Sequence, residues 1–205
     1  MQLTIALAVA AVSPASLAGF YQSQTMEVGG GIELKADGQF RYELDYGAVS
    51  EGAEGTWTAD GGKVLLTTSP MPTEPTFDLV RDSPAPRCSL SLKVDWGRFG
   101  WSSAPDVLVA YQAKPKELHL LQADERGVVH LGNCAVTTVI PMVPVYDVPG
   151  QPLKLSPAKG HRLTLRFRPN DLGHAAFRGE PLKIDGNSLL LERYGAQIRF
   201  QRVRP

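Results

Sequence analysis

The 205-residue sequence predicts an all-β protein: a meander or barrel formed by both chain ends, with an inserted β-sandwich-like module between them. Three observations predict it. Apolar and polar residues alternate with period two along most of the chain, and helical periodicity is nearly absent. Asp-Gly turns join consecutive alternating runs. Two proline-rich stretches, 69–86 and 141–157, fence off the centre, and proline is excluded from central strands. The segments follow as a signal peptide over 1–18, barrel or meander over 19–69, inserted module over 70–158, and barrel or meander again over 159–205.

The N-terminal part begins with an apolar run from Leu3 to Val12. It is followed by Pro14 and the small-x-small triplet Ser16-Leu17-Ala18. That is the layout of a secretory signal cleaved after Ala18 or Gly19. The run is shorter than the ~20 apolar residues that cross a bilayer, so no transmembrane segment is expected after signal removal. The expected location is the periplasm or the cell exterior.

Ile32 and Leu34 lead to Asp37-Gly38, after which Phe40, Tyr42, Leu44 and Tyr46 share one strand face. Gly at the turn accepts positive φ, so the pair reads as a hairpin. A second hairpin runs through Trp57, Asp60-Gly61-Gly62 and Leu66. Gly29-Gly30-Gly31 precedes a strand rather than a helix and reads as a flexible bend, not a phosphate loop.

In the centre, the prolines of 69–86 indicate a linker or edge crossing. Cys88, Leu90, Leu92, Val94 and Trp96 then share one face, which points Cys88 into a core. Strands at 107–111, 117–122, 128–131 and 135–140 follow. In the last part Leu163, Leu165 and Phe167 face inward and Arg162, Arg166 and Arg168 outward. A short helical turn is expected over 172–177. Strands over 182–184 and 189–192 and a final strand with Ile198, Phe200 and Val203 inward complete the chain. The sequence also echoes itself. Leu34-Lys35-Ala36-Asp37-Gly38 leads to Tyr46-Gly47-Ala48, and Leu182-Lys183-Ile184-Asp185-Gly186 leads to Tyr194-Gly195-Ala196 at the same spacing. Shared turn chemistry explains the echo most simply; matched parts of one barrel explain it as well.

The opening Gly19-Phe20-Tyr21, Leu34 to Tyr42 with its Asp-Gly-x-Phe element, and Gly55-Thr56-Trp57 resemble the start of lipocalin-like small barrels (G-x-Y, L-x-x-D-G-x-F, G-x-W). The whole chain resembles a group of uncharacterised exported bacterial proteins with this arrangement. The middle, with its 107–111 strand and 122–128 turn, resembles transthyretin-like or carboxypeptidase-regulatory sandwiches. These resemblances imply folds and bring no catalytic residue, and a fold alone assigns no function.

Function classes narrow by chemistry. Lys+Arg and Asp+Glu are both 21, so no net field recruits nucleic acid. The two cysteines, Cys88 and Cys134, fit a single disulfide in an oxidising compartment, closing a loop of roughly 46 residues; two thiols are too few for zinc. No cofactor or metal motif is present. His119, His130, His161 and His174 lack metal spacing. Glu51 with Glu54, and Asp124 with Glu125, read as solvated turn carboxylates. Arg162, Arg166 and Arg168 with Arg199 and Arg202 would form a basic stripe if their strands paired. Tyr42, Tyr46 and Trp57 either line a small apolar ligand pocket or fill the barrel.

The reading these features support is a non-enzymatic periplasmic or secreted binding or envelope-interaction protein, its partner a small apolar ligand or an envelope component that the sequence does not identify. The alternatives are a carrier of a small apolar ligand lined by Tyr42, Tyr46 and Trp57, and a hydrolase in which two or more of His161, His174, Asp171 and Glu54 converge.

Overall fold

The computed structural model describes residues 14–99, 104–146 and 148–203. Among the described residues nearly all of the regular secondary structure is strand. The first five strands are β1 (Gly19–Ser23), β2 (Val28–Leu34), β3 (Gln39–Tyr46), β4 (Val49–Asp60) and β5 (Lys63–Thr68). The centre contributes β6 (Thr76–Ala85), β7 (Leu90–Asp95), β8 (Val107–Tyr111), β9 (Lys114–Leu121), β10 (Val128–Val129), β11 (Val136–Val143), β12 (Val148–Pro149), β13 (Leu153–Lys154) and β14 (Gly160–Arg168). The last three are β15 (Arg178–Asp185), β16 (Ser188–Arg193) and β17 (Ala196–Arg202). The signal-peptide reading falls largely on residues 1–13, outside those described; a short helix, α1 (Pro14–Leu17), precedes β1.

Two compact units result. The first unites the chain up to Pro72 with the chain from Gly173, and the second holds 73–172. In the first, eight strands close a barrel in the order β1-β17-β16-β15-β5-β4-β3-β2. With the centre set aside this is a simple antiparallel meander, each strand beside its chain neighbour, closed where Tyr21 of β1 pairs with Arg202 of β17. Closure removes the free edges that an open meander would expose. Alternation does the rest. Ile32, Leu34, Phe40, Tyr42, Leu44, Trp57, Val64, Leu66, Leu182, Leu189, Leu191 and Phe200 all point inward and are buried. Each such side chain contributes about 1.5–3 kcal/mol on leaving water.

The echo gains a structural meaning here. Its first copy is β2-turn-β3-turn-β4 and its second β15-turn-β16-turn-β17, so equivalent turns recur four strands apart around one barrel. Val203, expected inward, is exposed, because it lies out of phase with Ile198 and Phe200. The three glycines 29–31 form no bend: they run inside β2, paired to β3 throughout, and Gly31 pairs to β1 as well. Their lack of side chains serves close approach. A Cβ on Gly30, whose φ is +100°, would stand 2.1 Å from the Glu43 carbonyl oxygen.

The expected helical turn over 172–177 does not form: a turn closed by the Leu172 amide on Pro169 O ends at Gly173, and the chain then runs alongside β4 from His174. The Gly52 amide donates to Gly173 O and the Ala175 amide to Gly52 O, both at 2.8 Å. The Thr68 amide donates to Phe177 O at 2.9 Å. Past its pairing with β5, the first half of β4 would lack a neighbour on one side. Residues 173–177 supply it and drive Ala175 and Phe177 into the barrel core. Backbone pairing thus outweighs the local tendency to turn.

In the second unit two sheets share one core. One has the order β10-β7-β14-β6; the other has β12-β11-β8-β9, with β13 also on β11. Leu90, Leu92, Leu163, Leu165 and Phe167 from the first meet Val107, Val109, Val136, Val139 and Val143 from the second. This relocates a strand. Residues 160–168 belong here and not to the C-terminal barrel segment, because β14 pairs antiparallel with β6 and parallel with β7. Alternation identifies which side chains face a core but not which core. The proline-rich 69–86 stretch carries β6, an edge strand. Pro141 sits inside β11, and its carbonyl accepts the Gly150 amide at 2.8 Å.

Cys88 and Cys134 form a disulfide. Cys88 does not point into the core, however: it is exposed in a turn with φ +69°, and the regular alternation of β7 begins only at Leu90.

Candidate functional site

The chemistry in the barrel gathers at the end that carries the turns 24–27, 47–48 and 194–195. Glu51 is on the inward face of β4, in phase with Trp57, and is 8% exposed. Its carboxylate takes four hydrogen bonds. Tyr42 Oη donates to Oε1 at 2.7 Å and Tyr194 Oη to Oε2 at 2.7 Å. Arg193 grips both oxygens, Nε to Oε1 at 2.9 Å and Nη2 to Oε2 at 2.5 Å. The guanidinium also lies 5.6 Å from the Phe177 ring centre and 5.1 Å from that of Tyr194.

Burial alone would raise the Glu51 carboxyl pKa. The hydrogen bonds from Arg193, Tyr194 and Tyr42 outweigh it and hold the group below the usual carboxylate range. The same contacts push Tyr42 and Tyr194 upward, burial first and the neighbouring carboxylate second. For Arg193, burial works downward, but the Glu51 pair prevails and raises it. The cluster is therefore one carboxylate, one guanidinium and two neutral phenols, with every carboxylate oxygen satisfied. Such a network fixes the geometry of the four side chains.

Above this base lies a recess of about 90 Å³, bounded by Met26, Val28, Tyr46, Tyr194, Ala196 and Ile198 together with the polar Thr25, Glu27 and Arg193. Met26 is 86% exposed, and Tyr46 and Tyr194 are 41% and 40% exposed. Tyr194 has φ +52° and is followed by Gly195, which lets the turn place its ring at the rim while its hydroxyl reaches down to Glu51. The mouth thus sets aromatic and aliphatic side chains beside the charged Glu27 and Arg193, on a hydrogen-bonded polar foundation.

Of the three aromatics singled out from sequence, Tyr42 and Trp57 are interior. Tyr42 packs edge-on against Phe177 and Phe200, and Trp57 Nε1 donates to Lys35 O at 2.9 Å. Tyr46 leaves their company: β3 ends there, and the ring lies at the rim. Glu51 and Glu54 part as well. They differ by an odd number of positions on one strand, so Glu51 is buried and Glu54 is exposed on the outer wall.

The other groups singled out from sequence are distributed over both units. His161 is buried in the second unit, with Nδ1 at 2.9 Å from Asp82 and Nε2 at 2.9 Å from Ser156 O. His174 and Glu54 belong to the first unit, and Asp171 to the second, where it accepts the Thr73 amide at 2.8 Å. The arginine stripe does not form, because β14 and β17 lie in different units and never pair. Arg166 and Arg168 instead face Asp95 and Asp78 on the flanking strands, and Arg199 faces Asp185. Asp124 caps its own turn, accepting the Val128 amide at 2.8 Å. Among the described residues no group of three His, Cys, Asp or Glu is placed to hold a metal ion.

Arg193, Phe177 and Met26 escaped the sequence reading. Two signals pointed toward the site: the Tyr-Gly echo, which marks Tyr194 as the counterpart of Tyr46, and the phase of β4, which puts Glu51 on the side of Trp57. Comparison with family models, curated proteins and solved structures yields no match for this chain.

Proposed function

We propose that the protein is a non-enzymatic binding module exported to the periplasm or cell exterior, whose barrel mouth seats one apolar side chain of an envelope protein. The observation that carries this reading is the exposed ring of Met26, Tyr46 and Tyr194 around a recess of about 90 Å³. Volume favours a small occupant. Drug-sized ligands occupy clefts of about 300–1,000 Å³, so a recess this small suits a leucine-sized side chain and not a carried lipid. Tyr and Met are also the residue types enriched in protein interfaces. A hydrogen-bonded base beneath them reduces the ordering cost of binding. Export is supported by the apolar N-terminal run and by the disulfide, which belongs to oxidising compartments.

The carrier reading has less support. Tyr42 and Trp57, its expected lining, are packed and hydrogen-bonded within the barrel. A larger recess, of about 340 Å³, lies on the outer wall against Phe20, Gly30 and Gly31 instead.

An NMR titration with N-acetyl-leucine methylamide tests the site. Saturable shifts of the Met26 methyl and the Tyr46 and Tyr194 rings are expected, and Ala196→Trp, which fills the recess, abolishes them. No saturable shift at the mouth, or shifts that persist in the filled variant, would remove the proposal. Export is checked separately by the mass of the chain recovered from periplasm, expected to begin after Ala18 or Gly19.

A further inference from the structure

The end of the barrel opposite the Met26 recess is filled by the chain itself. Strand β1 starts there, and the residues just before it lie against the opening. Leu17 is 7% exposed and belongs to the barrel core. Three consecutive carbonyls around that side chain each accept a hydrogen bond from the barrel. Arg202 Nη1 donates to Ser16 O at 2.7 Å, Tyr21 Oη to Leu17 O at 2.7 Å, and Arg202 Nη2 to Ala18 O. The guanidinium lies over the Tyr21 ring, 5.9 Å from its centre. A Cβ at Gly19 would stand 2.9 Å from Arg202 Nε, so glycine there leaves the space that the guanidinium occupies.

Ser16-Leu17-Ala18 is also the segment that processing after Ala18 or Gly19 removes. Its loss leaves a leucine-sized opening, a buried Tyr21 hydroxyl without its acceptor, and a guanidinium without two carbonyls. A buried donor deprived of its acceptor is costly, so the opened end favours a ligand that returns one. Processing also places a new α-ammonium beside Arg202, which adds to the positive charge of the opening.

We propose that this opened end captures the free carboxyl terminus of another exported protein, one that ends in leucine followed by a small residue. The proposal rests on the export reading above and concerns the other end of the barrel from the Met26 recess. The chain's own segment supplies the geometry. Leucine enters the socket, its carbonyl accepts from the Tyr21 hydroxyl, and the terminal group takes the place of the Ala18 carbonyl. A carboxylate is favoured there over a neutral carbonyl, because it adds charge attraction and can accept from two guanidinium nitrogens. Capture of a chain terminus by fixed donors is a recurring mode of peptide recognition. The contact is small, so the expected dissociation constant is about 1 mM.

Protein recovered from the periplasm is titrated with acetyl-Pro-Ala-Ser-Leu-Ala as the free acid and followed by NMR. Saturable shifts of the Tyr21 ring and the Arg202 side-chain NH are expected. The C-terminal amide of the same peptide should bind at least ~5-fold more weakly. The peptide with aspartate in place of leucine should not bind. Arg202→Gln should bring acid and amide to equal affinity. A recovered chain that retains Ser16-Leu17-Ala18 keeps the opening plugged and overturns the proposal through its premise. A processed chain overturns the site itself, and leaves export standing, if it shows no saturable shift, binds acid and amide alike, keeps its acid preference in Arg202→Gln, or does not fold.

Discussion

Glu51 and Arg193, 142 residues apart in sequence, meet through two hydrogen bonds at one end of the barrel. This pair ties the first half of the meander to the last, and its charges are largely withdrawn from water, the side chains being 4% and 28% exposed. Breaking one member of a buried pair leaves the other uncompensated, at a cost of about 3–5 kcal/mol. Arg193→Met should approach the lower figure, because its guanidinium is partly exposed. Glu51→Met/Arg193→Met should cost clearly less than the two single variants together. Urea denaturation of the four proteins measures this. Additive losses below about 1 kcal/mol each would show that solvent screens the pair as it does a surface one.

The same carboxylate predicts an acid limit. Glu51 titrates below its ordinary range in the fold, so near pH 4 the unfolded chain binds more protons than the folded one. Its stabilising contribution is therefore complete above about pH 5 and fades as pH falls through the folded-state titration. Asp124 is lowered as well, chiefly by the Val128 amide, and contributes with the same sign. The difference between the native protein and Glu51→Gln isolates Glu51. That difference, read from thermal midpoints between pH 3 and pH 7, should shrink toward acid. A difference independent of pH would mean that Glu51 acts through packing alone.

The limits of the sequence reading show in particular residues. Strand faces were legible because a period of two fixes which side chains share a side: Leu163, Leu165 and Phe167 do face a core. Their partner strands were not legible, since the alternation of β14 would serve a barrel or a sandwich equally. Glu51 was misread for a related reason. Its type and the glycines beside it suggest a solvated turn, whereas its phase with Ala53 and Trp57 places it inward, and only Arg193 from the far end of the chain makes that burial tolerable. Residue type and strand phase conflicted, and phase prevailed because a distant partner was present.

Cys88 and Cys134 close a loop of 46 residues inside the second unit. Loop-closure entropy for that length corresponds to roughly 3–4 kcal/mol of stability for the module. Cys88→Ser/Cys134→Ser should lower its urea midpoint accordingly, and reductant should do the same to the native protein. Cys88 is exposed, so neither treatment leaves a large buried cavity to confuse the comparison. Equal midpoints with and without the bridge would mean that the unfolded module is already compact.

Two glycines with positive φ separate strain from collision. Gly47 has φ +58° and a Cβ there would meet nothing within 4 Å, so Gly47→Ala costs only the left-handed conformation, about 1 kcal/mol. Gly30 has φ +100°, and its Cβ would lie 2.1 Å from Glu43 O and 2.9 Å from the Leu44 Cα, both backbone atoms of β3. Neither can move aside without opening the β2–β3 ladder, which runs from Val28↔Tyr46 to Leu34↔Phe40. Gly30→Ala should therefore destabilise the barrel by well over the ~1–2 kcal/mol of a left-handed residue alone. Amide exchange should show protection lost along β2 and β3. A cost equal to that of Gly47→Ala would mean that the strand relaxes around the methyl group and that the close approach at Gly30 is not needed to shape the barrel.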